Sequence, residues 1–295
     1  MKKRNLLVAA LSLCLVAVIA VGGTLAYFTD QTQTMTNTFT SGEVDIVLWE
    51  SGDPDGDGNP EILDNTTIGG HGDRTYTGIK FDDIVPGDVL DKNMNISVSD
   101  NSVFSYVAVH LWVEGEGLTD EQNALAYELI ENAVTRRPVK CAGIPATPEE
   151  NVFTEPTTTT PSWTAFRLED GSFLLVASGK KQGLADTDGD GKNESITAPL
   201  NQVPAGITLN VFDRVFIGEP NRMGNGAEPD TYGNELAGLN FQLKTQAFAI
   251  QAEHLPEMDG SSWTYFADMV VDACNNGTED KVFESYKDDA PFNNK

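Results

Sequence analysis

Two short stretches of this 295-residue chain carry the residue types that hold a hard cation. DPDGDGNPEILD (residues 53–64) and DTDGDGKNESIT (residues 186–197) share the pattern D-x-D-G-D-G. In the first, alternate carboxylates set Asp53, Asp55 and Asp57 around one point, and Gly58 permits the sharp turn, as in the twelve-residue calcium loop. Asn59 offers its carbonyl, and Asp64 stands at the twelfth position, where a bidentate carboxylate belongs. The second repeats the arrangement with Asp186, Asp188, Asp190 and Gly191; Lys192 offers a carbonyl and Glu194 a carboxylate acting through water. Thr197 replaces the final acid there, so weaker binding is expected. Neither stretch lies between two helical patterns, which predicts structural calcium in β-connections and not an EF-hand switch. Asp-Gly pairs are also ordinary hairpin chemistry, so a solvated turn stays open as the other reading.

Catalytic chemistry finds less to work with. Zinc hydrolysis needs three protein ligands and an open position, often with two histidines on one helix as HExxH. The three histidines here, His71, His110 and His254, are scattered over a Gly-rich loop, an alternating strand and a strand end. His110, within VAVHLWV, is expected on the polar face of its strand. There is no GxSxG, and the cysteines show no recognisable His partner pattern. The chain is therefore expected not to be an enzyme. Trp49, Trp112, Trp163 and Trp263 could line a sugar face, as in a monomeric adhesin, although a core role is expected for most.

Strands must position most of these residues. EVDIVLW (43–49), NISVS (95–99), FSYVAVHLWV (104–113), FLLVA (173–177), ITLNVFDRVFI (207–217) and LNFQLKTQAFAIQ (239–251) are rich in β-branched and aromatic residues, and mostly alternate. They predict a mainly β, antiparallel sandwich in which each strand buries one face. Two stretches break that rhythm. TDEQNALAYELIENAVTRR opens with Thr119 and Gln122 in a capping-box arrangement and repeats Leu125, Leu129, Ala133 and Ile130, Val134 at helical spacing. SSWTYFADMVVDACNNG has Ser261 or Ser262 as N-cap, a stripe of Phe266, Val270 and Cys274, and Asn276 and Gly277 as a stop. Both predict helices that decorate the sandwich ends. PATPEENVFTEPTTTTPS (145–162) predicts an exposed, mobile loop.

The chain opens MKKRN and then runs from Leu6 to Gly23 without a charge, as secretory signals do. Cleavage is expected after Ala26 or within two residues of it, leaving Tyr27 or Phe28 at the new terminus, although the uncharged run just reaches the length an uncleaved anchor needs to span a bilayer. Loss of Lys2, Lys3 and Arg4 takes the net charge from −26 to −29. Such a surface repels nucleic acid and anionic lipid and attracts divalent cations. Residues 1–26 are thus expected to be a signal peptide, 27–42 a separate N-terminal segment, and 43–295 one β-sandwich domain. An exported location permits Cys141 and Cys274 to pair, but the sequence leaves their pairing open.

The junction GGTLAYFTDQTQTMTNTFTSGEVDIVL resembles the processing region of the TasA and camelysin family, whose signal peptides are cut by a SipW-type peptidase. The likeness rests on Ala26, Tyr27, Phe28, Thr29 and Asp30, then on Asn37, Phe39, Gly42, Val44, Asp45 and Ile46. FDDIVPGDVLDKNMNISVSDNSVFSYVAVHL is similar to the family's PGD turn and paired strands, and AFAIQAEHL to another of its strands. The resemblance implies a jelly-roll-like sandwich, secreted to the cell surface or extracellular matrix, that polymerises into biofilm or coat fibres. Each subunit would give its freed N-terminal segment to a neighbour as an extra strand. The implied partners are further copies of the chain, the SipW-type signal peptidase, and other matrix proteins or an assembly template. Membrane contact would end with cleavage. Residues 31–42 fit that role, because Thr32, Thr34, Thr36 and Thr38 alternate with Gln33, Met35, Asn37 and Phe39. The alternative is a first edge strand of the chain's own sandwich. Residues 115–181 exceed the compact family members and are expected to be an insertion. Camelysin-type relatives are classed as metallopeptidases, so the resemblance also carries that alternative.

Overall fold

A computed structural model describes residues 44–52, 61–65, 89–100, 102–115, 117–135, 140–159, 161–185, 192, 194–216, 241–253 and 255–279. The six alternating runs of the sequence account for seven of the twelve strands among the described residues. β1 (Ile46–Gly52), β2 (Glu61–Asn65), β4 (Lys92–Val98) and β10 (Thr208–Phe212) form one antiparallel sheet in the order β10-β4-β1-β2. β5 (Ser105–Glu114), β6 (Trp163–Arg167), β7 (Phe173–Ala177) and β12 (Gln242–Gln251) form a second, in the order β12-β5-β7-β6. Two small ladders join β3 (Val89–Leu90) to β11 (Val215–Phe216) and β8 (Gln182–Ala185) to β9 (Glu194–Thr197). The sheets share one core: Ile46, Leu48, Met94, Ile96, Val98, Leu209 and Val211 from the first meet Val107, Val109, Leu111, Phe173 and Leu175 from the second. The protein is therefore mainly β, as its sequence predicts. The strand orders do not themselves establish jelly-roll wiring.

The run 207–217 is broken where the β10–β4 register shifts between Asn210 and Phe212, so that β10 and β11 serve different partners. Residues 115–181 contribute to the sandwich itself. They supply β6 and β7, half of the second sheet, with Phe173 and Leu175 in the shared core.

Helix α1 (Asp120–Thr135) begins with the predicted capping box: the Thr119 N–H donates to Gln122 Oε1 at 3.0 Å, and the Gln122 N–H donates to Thr119 Oγ1 at 3.2 Å. Its stripe of Leu129, Ile130, Ala133 and Val134 enters the shared core. Arg167 ties the helix to β6. It pairs with Glu131, donates to the carbonyls of Pro145 (2.9 Å) and Gly171 (2.8 Å), and lies over the Phe173 ring.

Helix α2 (Ser262–Asn276) is capped by Ser261, which accepts from the Thr264 N–H at 3.1 Å, and is stopped by Gly277 at φ 59°, a left-handed conformation that glycine adopts without strain. It does not decorate an end. Trp263, Phe266, Ala267 and Val270 cover the outer face of the second sheet, packing on Tyr106, Ala108, Leu174, Val176 and Phe248. β5 is consequently buried on both faces from Ser105 to Leu111. The 145–162 segment is largely exposed, as expected, yet it is pinned where described. Asn151 exchanges two 2.8 Å bonds with the Arg167 backbone, and Phe153 stacks on Phe166.

Candidate functional site

Each acidic stretch connects two antiparallel partners. Gly52 pairs with Glu61 across the first and Ala185 with Glu194 across the second. Paired Cα atoms at a hairpin mouth stand about 5 Å apart, so the residues flanking each connection, Gly52 with Glu61 and Ala185 with Glu194, lie close together. Asp53, Asp55, Asp57 and Asn59, and Asp186, Asp188 and Asp190, lie outside the described residues. Lys192 is exposed and Glu194 half-buried at the head of β9. Asp64 lies within β2 opposite Trp49, three residues and therefore about 10 Å beyond the mouth. Glu61 is nearer: it opens β2 as Glu194 opens β9, at the ninth position of each stretch. The sequence pattern alone favoured the twelfth position; pairing register brings the ninth to the mouth.

The predicted cleavage residues Ala26 and Tyr27, and the donor-strand residues Met35, Asn37 and Phe39, also lie outside the described residues, as do His71 and His254. Of the tryptophans, Trp163 and Trp263 are core. Trp49 donates to Ser97 Oγ at 2.8 Å, and Trp112 stacks on His110 at 4.7 Å. Cys141 and Cys274 are both free thiols, the first in the shared core and the second packed beside the layer under α2.

His110 corrects an expectation. It is not on an open polar face but buried, 7% exposed, because α2 folds back over that side of β5. One ligand atom each from His110, Cys274 and Glu279 lies within 4.8 Å of the others. The Ser172 hydroxyl donates to Asp170 Oδ1, which also accepts the Ser172 N–H at 2.9 Å. With its proton committed, Ser172 Oγ accepts from His110 Nε2 at 2.8 Å. That fixes the proton on Nε2 and leaves the Nδ1 lone pair, buried and without a hydrogen-bond partner. Burial lowers the His110 pKa to about 4, against an opposing pull from Asp170. Burial, reinforced by Glu279 and Asp170, pushes the Cys274 thiol well above the ordinary range. Both shifts oppose a thiolate–imidazolium pair, so the cluster is not arranged as an activated cysteine nucleophile.

The imidazole shift sets a pH dependence. Its folded pKa lies below its unfolded value of about 6.5, so the unfolded chain binds more protons between pH 4 and 6.5. Stability from this group is full above pH 6.5 and is lost as pH falls toward 4. The groups facing it are Asp170 and Ser172 at the β6–β7 turn, Cys274 and Glu279 at the end of α2, and Trp112 on its own strand. Denaturant titrations of the chain and of His110→Gln should therefore converge or cross on acidification. The histidine chain should lose about 1–3 kcal/mol relative to the variant. A constant difference across that range contradicts the assignment.

No family model matches the chain, and comparison with curated proteins and with solved structures gives no match either.

Proposed function

We propose that this chain is a secreted structural subunit of extracellular fibres, in a biofilm matrix or on a cell surface. It assembles by giving its N-terminal segment to a neighbour's sheet and is supported by calcium. The single observation carrying this reading is β12, a ten-residue strand that ends its sheet among the described residues. A strand of that length offers about 34 Å of backbone edge, close to what residues 31–42 span when extended. Added strands bind through main-chain hydrogen bonds and take register from alternate side chains in pockets; Met35 and Phe39 are the two large apolar anchors available. The jelly-roll wiring, the SipW-type processing and the matrix or template partners belong to this proposal through the family resemblance. A chain beginning at Tyr27 should form filaments visible by electron microscopy. Persistent monomer at all concentrations would overturn the reading.

Calcium belongs to the same proposal. The reading rests on the sequence of the two connections, Asp53, Asp55 and Asp57 before Glu61 in one and Asp186, Asp188 and Asp190 before Glu194 in the other, an oxygen-rich donor set that suits that ion. A cation that binds only the folded chain stabilises it by mass action, about 2.7 kcal/mol at a hundredfold excess over Kd. Chelation should lower the melting temperature, and Asp53→Ala with Asp57→Ala should remove most of that response. Equal melting with and without calcium contradicts it. Calcium would also screen part of the −29 charge that opposes packing of cleaved subunits.

A further inference from the structure

We propose that His110, Cys274 and Glu279 form a binding site for a single zinc-class divalent transition metal, separate from the acidic hairpins. The donors are one imidazole nitrogen, one sulfur and one carboxylate, a set that suits zinc and its congeners and not calcium. Three protein ligands leave a fourth tetrahedral position for water or an exogenous donor.

Two independent observations point to a ligand. His110 is buried yet keeps an unpartnered nitrogen, Nδ1, at a place where the buried polar groups of folded proteins normally find partners. The tautomer that exposes this lone pair is enforced by a chain running from Nε2 through Ser172 Oγ to the Asp170 carboxylate. Histidines that bind metals are commonly held in this way, their second nitrogen donating into an oriented acceptor. The backbone N–H of Ser172 holds the same carboxylate oxygen at 2.9 Å, so the acceptor is itself fixed.

The geometry needs only a small closure. Zinc bond lengths of about 2.0 Å to nitrogen and oxygen and 2.3 Å to sulfur place tetrahedral ligands about 3.3–3.6 Å apart. The present limit is 4.8 Å. β5 is a central strand and holds His110 rigidly, whereas Cys274 is in the last turn of α2 and Glu279 follows its glycine stop. The two anionic donors are on the more adjustable element. Thiolate and carboxylate together balance a divalent charge, which suits a site with low solvent access.

The test uses the full chain in mild detergent, stripped of metal and then given zinc in the presence of excess calcium to occupy the acidic hairpins. One zinc per chain should remain after gel filtration. Cobalt in its place should give a thiolate-to-metal charge-transfer band. Cys274→Ser should abolish that band and weaken zinc binding at least 100-fold, while His110→Gln and Glu279→Gln should each weaken it at least tenfold. Asp170→Asn should weaken it 10- to 100-fold without losing the band, as expected of a positioning residue. Cys141→Ser should change neither. Circular dichroism checks that each variant is folded, and zinc should protect Cys274 of the unaltered chain from alkylation, a readout that needs no variant. Absence of the cobalt–thiolate band in the folded chain, its persistence in Cys274→Ser, or alkylation unaffected by zinc would overturn the site.

Discussion

A chain shortened to begin at Gly42 should fold as well as one beginning at Tyr27 and yet remain monomeric where the longer chain forms filaments. Folding should survive because the first described strand starts at Ile46, and the shared core draws on Val44 onward. Assembly should not, because in the proposed mode of joining the lost segment is the donated strand. Each main-chain hydrogen bond contributes about 0.5–1.5 kcal/mol net, and burying Met35 or Phe39 about 1.5–3 kcal/mol. Even after the cost of ordering the segment, a loss of about 4 kcal/mol is roughly a 1,000-fold fall in association constant. Excess free peptide of residues 27–42 should cap growing ends and shorten filaments of the longer chain. Proline at Thr36 or Thr38 removes a backbone donor and should weaken assembly without unfolding the monomer. Sedimentation at matched calcium and protein concentration reads all of these. Equal polymerisation by the chain beginning at Gly42 contradicts strand donation.

The largest effect on stability should come from the buried ion pair inside the sandwich. Glu50 and Lys92 lie on the inward stripes of β1 and β4, continuing Ile46 and Leu48 on one strand and Met94, Ile96 and Val98 on the other. Their Oε2 and Nζ are 2.5 Å apart, and the side chains are 1% and 9% exposed. Two buried charges in contact are tolerable together and costly apart. Glu50→Ala should lower unfolding free energy by about 3–5 kcal/mol, because the buried Lys92 ammonium loses the Glu50 carboxylate. The double change Glu50→Leu with Lys92→Met should cost far less, and it could stabilise by about 1–4 kcal/mol. Urea titration distinguishes the cases. A loss under about 1 kcal/mol in the single variant would mean that water reaches the pair.

Much of this fold was legible because alternation records which face a strand buries. β1, β4 and β7 are close to where their patterns put them, and Thr119 with Gln122 located the start of α1 almost to the residue. Alternation says nothing about a second burial. β5 has its inward stripe, but its other face is buried only because α2 returns to cover it from about 150 residues later in the chain. His110 therefore read as an outward polar residue, and Cys274 as one more member of a helical stripe. Their meeting is a consequence of tertiary packing. β6 was missed because five residues beside a Thr-rich loop are too few to show a period, and its identity depends on pairing with β7. Glu50 was missed for a different reason: a charged residue at an inward position looks like the end of a strand until its partner is known. The acidic stretches are visible in the sequence as D-x-D-G-D-G, whereas the register that brings Glu61 and Glu194 to the hairpin mouths required the pairing of strands.

The claim at the centre of this account is that export processing frees the segment through which subunits join. It is tested most directly by the intact mass of the chain recovered from filaments outside the producing cells. The account predicts a subunit beginning at Tyr27 or within two residues of it, with residues 29–42 retained. A filament subunit that keeps residues 1–26, or one that has lost the segment up to Gly42, would contradict it.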